Sequence, residues 1–161
     1  MKIDKRMLFI VGVFYAVLFI GIFVFYLVNP FENKCISGNC FNGNGVYVHH
    51  SGMKYEGEWK NGLRHGKGKL TYPNTYEYEG EWENNRMDGY GIMVNNYSKY
   101  AGDWENGKKD GKGTFYYFDK KYLGHWKNNL MHGQGTLIYP GGFKWIGEWK
   151  NDGIYNGKGT I

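Results

Sequence analysis

The side chains able to do chemistry come first. His65 and His132 stand at equivalent places in a recurring pattern, where general bases could sit. Asp88 and Asp110 fill the same place in other copies. A slot shared by His and Asp beside a turn reads as backbone capping, not proton transfer. Glutamates recur just before tryptophans, at Glu58, Glu81 and Glu148. Two such carboxylates could serve glycoside chemistry, yet nothing singles out one pair. Their expected partners are lysines on the facing strand, such as Lys67. Gly-x-Gly pairs invite comparison with phosphate loops, but no Lys-Ser/Thr follows in Walker spacing and no βαβ unit surrounds them. The expectation is a protein without catalytic residues, metal or cofactor.

Cys35 and Cys40 are the only cysteines. In an oxidising compartment they would form a small-loop disulfide that staples the N-terminal edge of the downstream chain. Two free thiols are the alternative. A zinc site would have to borrow His49 and His50 to reach four ligands, and none is expected.

Along the chain, tryptophans fall at Trp59, Trp82, Trp104, Trp126 and Trp149, spaced by 23, 22, 22 and 23 residues. A glycine precedes each by two: Gly57, Gly80, Gly102, Gly124 and Gly147. An aromatic residue precedes each of those by two: Tyr55, Tyr78, Tyr100, Tyr122 and Trp145. A Gly-x-Gly pair follows each tryptophan: Gly66 and Gly68, Gly89 and Gly91, Gly111 and Gly113, Gly133 and Gly135, Gly157 and Gly159. The last pair comes one residue late, which suggests a one-residue insertion within 151–156. Gly43, Gly45 and Val46-Tyr47-Val48 form the second half of a further copy.

The written pattern is Tyr-x-Gly-x-Trp-x-x-Gly-x-x-His-Gly-x-Gly, matched fully by residues 55–68. It resembles the MORN-repeat family over about residues 40–161. The resemblance implies a twisted, elongated stack of β-hairpins. In larger proteins such arrays accompany kinase or methyltransferase domains, for which this chain has no room. The family name refers to membrane occupation, and acidic-lipid binding has been proposed for it.

One unit can also be read directly. Tyr55, Gly57 and Trp59 alternate with Glu56 and Glu58, the period of a strand. Lys60-Asn61-Gly62-Leu63 turns the chain, and Gly66, Gly68 and Leu70 lie on the return strand. Apolar residues align with Leu70: Tyr47, Met93, Phe115, Leu137 and Ile161. This column, with the Tyr and Trp columns, is the expected core, its rings lying flat on bare glycine backbone. Asn85 and Asn129 replace Gly62 and Gly107 and tolerate positive φ. Pro73 and Pro140 fall between hairpins, and residues 76–78 read as a linker lengthened by one residue. A lone hairpin is marginal in water, whereas stacked copies share a face.

Met7 to Val28 is an uncharged run, long enough as a helix for roughly 33 Å. It is too long for a signal-peptide core and lacks a small-x-small site, so an uncleaved anchor is expected. Tyr26 suits the interface, and Asn29-Pro30 ends the helix. Lys2, Lys5 and Arg6 place the N-terminus in the cytoplasm and the repeats on the opposite side. The expected fold is therefore all-β, an elongated twisted hairpin stack preceded by one transmembrane α-helix. The segments are 1–6 (cytoplasmic), 7–28 (membrane), 29–39 (linker), 40–54 (half repeat), then repeats 55–77, 78–99, 100–121, 122–144 and 145–161.

Net charge is +5, but acidic and basic residues interleave and no Lys/Arg block suggests nucleic acid. The leading expectation is a single-pass, membrane-anchored scaffold that holds a protein partner. A second is contact with acidic phospholipid through Lys108, Lys109, Lys112, Lys120 and Lys121. A third is self-association: the hairpin unfinished at Thr160-Ile161 leaves an edge to be met by further chain or by a second copy.

Overall fold

A computed structural model describes residues 33–160. Of the preceding residues it gives only the backbone of two short antiparallel pairs, Phe14–Tyr15 with Tyr26–Leu27 and Leu18–Phe19 with Ile22–Phe23. The helix expected over 7–28 otherwise lies outside the described residues. Among those described, no helix is long and apolar enough to cross a membrane.

Residues 34–160 form one twelve-stranded antiparallel sheet in which each strand pairs only with its neighbours in sequence. β1 (Lys34–Gly38) and β2 (Gly43–Val48) lead into five hairpins. These are β3 (Lys54–Lys60) with β4 (Leu63–Tyr72), β5 (Tyr76–Glu83) with β6 (Arg86–Asn95), and β7 (Ser98–Glu105) with β8 (Lys108–Tyr117). They continue with β9 (Lys120–Lys127) and β10 (Leu130–Ile138), then β11 (Lys144–Lys150) and β12 (Gly153–Thr160). Residues 76–78, read as linker, belong to β5. The connection is the shorter stretch 73–75, because Tyr76 pairs with Tyr72 and their rings stack 5.1 Å apart.

The sheet has two unlike long edges. One holds the tight turns within hairpins: Asn61-Gly62, Asn84-Asn85, Asn106-Gly107, Asn128-Asn129 and Asn151-Asp152, all with positive φ at both positions. That geometry matches the right-handed twist of the flanking strands and favours Asn and Gly. The other edge holds the looser connections between hairpins.

Register places one glycine from every strand in a single line, from Gly38 through Gly45, Gly57 and Gly68 to Gly147 and Gly157. Tyrosines fill the space this line leaves. A Cβ added at Gly68 would overlap the Tyr55 ring, and one at Gly91, Gly113 or Gly135 would overlap Tyr78, Tyr100 or Tyr122. Each ring therefore covers the glycine pair of its own hairpin. At the N-terminal end the Cys35–Cys40 disulfide is formed, with Cα atoms 6.0 Å apart. Cys35 pairs with Tyr47, and the Cys40 sulfur lies over Gly45, where later repeats place a ring.

The last hairpin departs from the sequence reading. Gly147 pairs with Gly157, so Gly157 takes the second glycine slot, not the first. The turn region is shortened by one residue instead of lengthened. Gly159 pairs with Trp145 and so occupies the column assigned to Ile161, which lies outside the described residues. The larger rings of Trp145 and Phe143 take up the space a side chain would fill there.

Candidate interaction surface

The front face is built from rings. Tyr55, Tyr78, Tyr100 and Tyr122 are buried, as are Trp82, Trp104, Trp126 and Trp149, while Trp59 is half-buried. Each tyrosine meets the tryptophan of its own hairpin and that of the next, edge to face at 5.0–5.4 Å. Each such pair contributes about 0.5–1.5 kcal/mol beyond the area it buries. The polar ends are satisfied by backbone. Tyr55, Tyr78, Tyr100 and Tyr122 donate to the carbonyl of the residue before the tryptophan, at 3.1, 3.0, 2.9 and 3.1 Å. Every repeat tryptophan donates its indole N–H to a glycine carbonyl of the preceding repeat: Gly45, Gly68, Gly91, Gly113 and Gly135. Trp145, in the tyrosine column, has no partner for its buried Nε1 among the described residues.

Burial pushes all four core tyrosine hydroxyls up; Tyr122 reaches about 12, with the Asp152 carboxylate adding to the effect. Two cations share this face. The Arg64 guanidinium lies 4.5 Å from the Trp82 ring, and the Lys109 ammonium 4.3 Å from Trp126 and 4.6 Å from Phe115. Desolvation holds both below their ordinary values. The equivalent slot carries Met87 and Met131 in the alternate repeats. The sequence held a signal for this slot, since long, flexible side chains recur at 64, 87, 109 and 131.

The lysines expected to act together are dispersed. Lys109 is turned onto the front rings, whereas Lys108 bonds Asn128 on the turn edge at 3.0 Å. Lys112 stands in register with His125, and Lys120 and Lys121 start β9 at the opposite edge. Even the last two, successive residues of one strand, face opposite sides of the sheet. They lie over Tyr139 and Tyr116, at 5.4 and 5.0 Å.

The carboxylates before the tryptophans also differ from expectation. Glu58 accepts from the Lys67 backbone N–H at 2.8 Å, and Asp103 accepts from Lys112 N–H at 2.8 Å. They cap a bulge in the return strand beside Gly66 and Gly111, whose φ values are +55° and +97°. Among the described residues the ion pairs are Lys54–Glu56 and Lys69–Glu77. The slot shared by His and Asp caps backbone where it is Asp: Asp88 and Asp110 accept from Asn106 and Asn128 N–H, each at 3.0 Å. In His65 and His132 the Nδ1 is buried without a partner among the described residues. Among those residues no group of His, Cys, Asp and Glu could hold a metal ion.

The back face changes character along the array. The row through Glu56, Lys69 and Glu79 is charged. Its continuation is uncharged over six strands: Ile92, Ala101, Thr114, Leu123, Thr136 and Ile146. Leu123 is 36% and Ile146 49% exposed, with Tyr90 beside them at 53%. Sequence reasoning passed over this row. Its trace is the residue between the aromatic and glycine columns, which runs Glu56, Glu79, Ala101, Leu123, Ile146.

Stacked hairpins, each completing the hydrogen bonds of the one before, define a linear repeat protein. A family model described as MORN repeat matches residues 55–75, 78–95, 100–120 and 122–143, just over half of the chain. The chain belongs to the MORN-repeat family.

Proposed function

We propose that the chain is a non-catalytic, membrane-anchored scaffold whose array presents its back face to a protein partner. The observation that carries this reading is the uncharged row from Ile92 to Ile146. MORN repeats serve in protein and lipid interaction, and the front face of this array is occupied by its own rings. The row on the back remains open, at about 4.8 Å per strand some 25 Å long. An extended uncharged row flanked by charge fits a partner surface better than a small molecule, which prefers enclosed pockets.

The experiment is proximity labelling of the intact chain in its own cell, beside a Leu123→Glu, Ile146→Glu variant. Both side chains are exposed, so the variant should fold. A set of neighbours labelled by the parent and lost from the variant is the expected result. An unchanged set would rule out the back face as the docking surface.

A further inference from the structure

We propose that the long edge carrying the connections between hairpins lies against the lipid bilayer, with the tight-turn edge pointing away. The inference rests on the membrane anchoring proposed above and adds which surface meets the lipid.

Three independent features converge on this edge. The first is where the chain enters. β1 begins at Lys34, in register with Val48, which is in register with Lys54 at the start of β3. The Asn33 side chain accepts from the backbone N–H of His50 at 2.9 Å, in the connection between β2 and β3. The apolar run 7–28 therefore joins the sheet at the edge of the connections, a few residues from its own end.

The second is composition at the tips. The turn edge carries Asn, Gly and Asp. The connecting edge carries Tyr97, 64% exposed, and Phe118, 69% exposed, with rings 5.9 Å apart, and Tyr117 and Phe143 are also exposed. Exposed rings also stand at the turn edge near the two ends of the sheet, Phe41 beside Gly62 and Tyr155 beside Lys150, but along the middle hairpins they gather on the connecting edge, where the core, completed on the front face, does not need them. Tyrosine at headgroup depth places its ring among acyl carbons and its hydroxyl in water.

The third is charge. The last register row to cross every strand toward this edge carries Lys34, Lys54, Lys99, Lys121 and Lys144 against Glu77, with Asp119 in one connection beyond it and Lys54 paired to Glu56 at 2.8 Å. Glu77 is itself engaged by Lys69 at 2.7 Å. Lysines beside exposed rings can lay their methylenes on the aromatic surface and reach phosphate with the ammonium. Twelve strands at about 4.8 Å make this edge about 50 Å long, so contact can be distributed along the array.

The test uses the full chain in vesicles of phosphatidylcholine, with and without phosphatidylglycerol, doped with a lipid bearing a nitroxide on its headgroup. A fluorophore is attached to Tyr97→Cys or Tyr117→Cys on one edge and to Glu105→Cys or Lys127→Cys on the other. The native cysteines are bonded to each other, and all four sites are exposed. Quenching several-fold stronger at 97 and 117 than at 105 and 127 is expected, with a larger difference when phosphatidylglycerol is present. A chain released from vesicles by an alkaline wash overturns the anchoring and this orientation together. A retained chain whose two edges are quenched alike in both compositions, as a protein-facing edge would be, overturns the orientation alone.

Discussion

Gly91 shows what a single residue decides. A Cβ there would lie 2.5 Å from Cε2 and Cζ of Tyr78, a ring held on both sides by Trp82 and Trp104. The ring cannot move without breaking its bond to the Glu81 carbonyl. Gly91→Ala should therefore destabilise the array by about 1–3 kcal/mol, the usual cost of overpacking, measured by urea unfolding followed through tryptophan emission. The tyrosines also set an alkaline limit. A phenol whose folded pKa lies above its unfolded value keeps its stabilisation below the unfolded value of about 10 and loses it as pH climbs through the folded one. For Tyr122 that window runs from about 10 to about 12. In a spectrophotometric titration the core tyrosines should ionise only as the near-UV dichroism of the tryptophans disappears. Full ionisation with that signal intact would contradict the buried ladder.

At the level of the hairpin, the turns do more than reverse the chain. Asn129, with φ +72°, donates its N–H to the Lys109 carbonyl and accepts the Lys109 N–H on its side chain, both at 2.9 Å. Asn85 and Asp152 repeat the arrangement with Arg64 and Met131. Asn129→Ala should cost about 1–2 kcal/mol, from positive φ and an orphaned donor, read by thermal unfolding. Tolerance of positive φ was readable in the sequence; the bond to the preceding turn was not, since it exists only once hairpins stack. The same division holds elsewhere. The Tyr, Gly and Trp columns were readable because each position is repeated. The spread of the lysine group was not readable as a run in the sequence, because neighbours in sequence alternate between faces, and Lys108 and Lys120 end up at opposite ends of a hairpin. Aligning the last copy on its Gly-x-Gly pair misplaced Gly157, because backbone pairing with Gly147 outranks a spelling match.

Across the twelve-stranded sheet, each described strand pairs only with its neighbours in sequence, so stability is local and accumulates along the array. Reduction of Cys35–Cys40 should consequently speed amide exchange in β1 and β2 and leave β7 to β12 unchanged, as followed by hydrogen exchange with mass spectrometry. A uniform acceleration would show that the sheet unfolds as one unit. The line of bare α-carbons crossing every strand has a mechanical corollary. Where backbone carries no side chain, each strand can bend at the same station, and a strip creased lengthwise resists flexing end to end, as a carpenter's steel tape does. Any point far along the array is then held at a fixed distance from the first strand by the shape of the sheet itself.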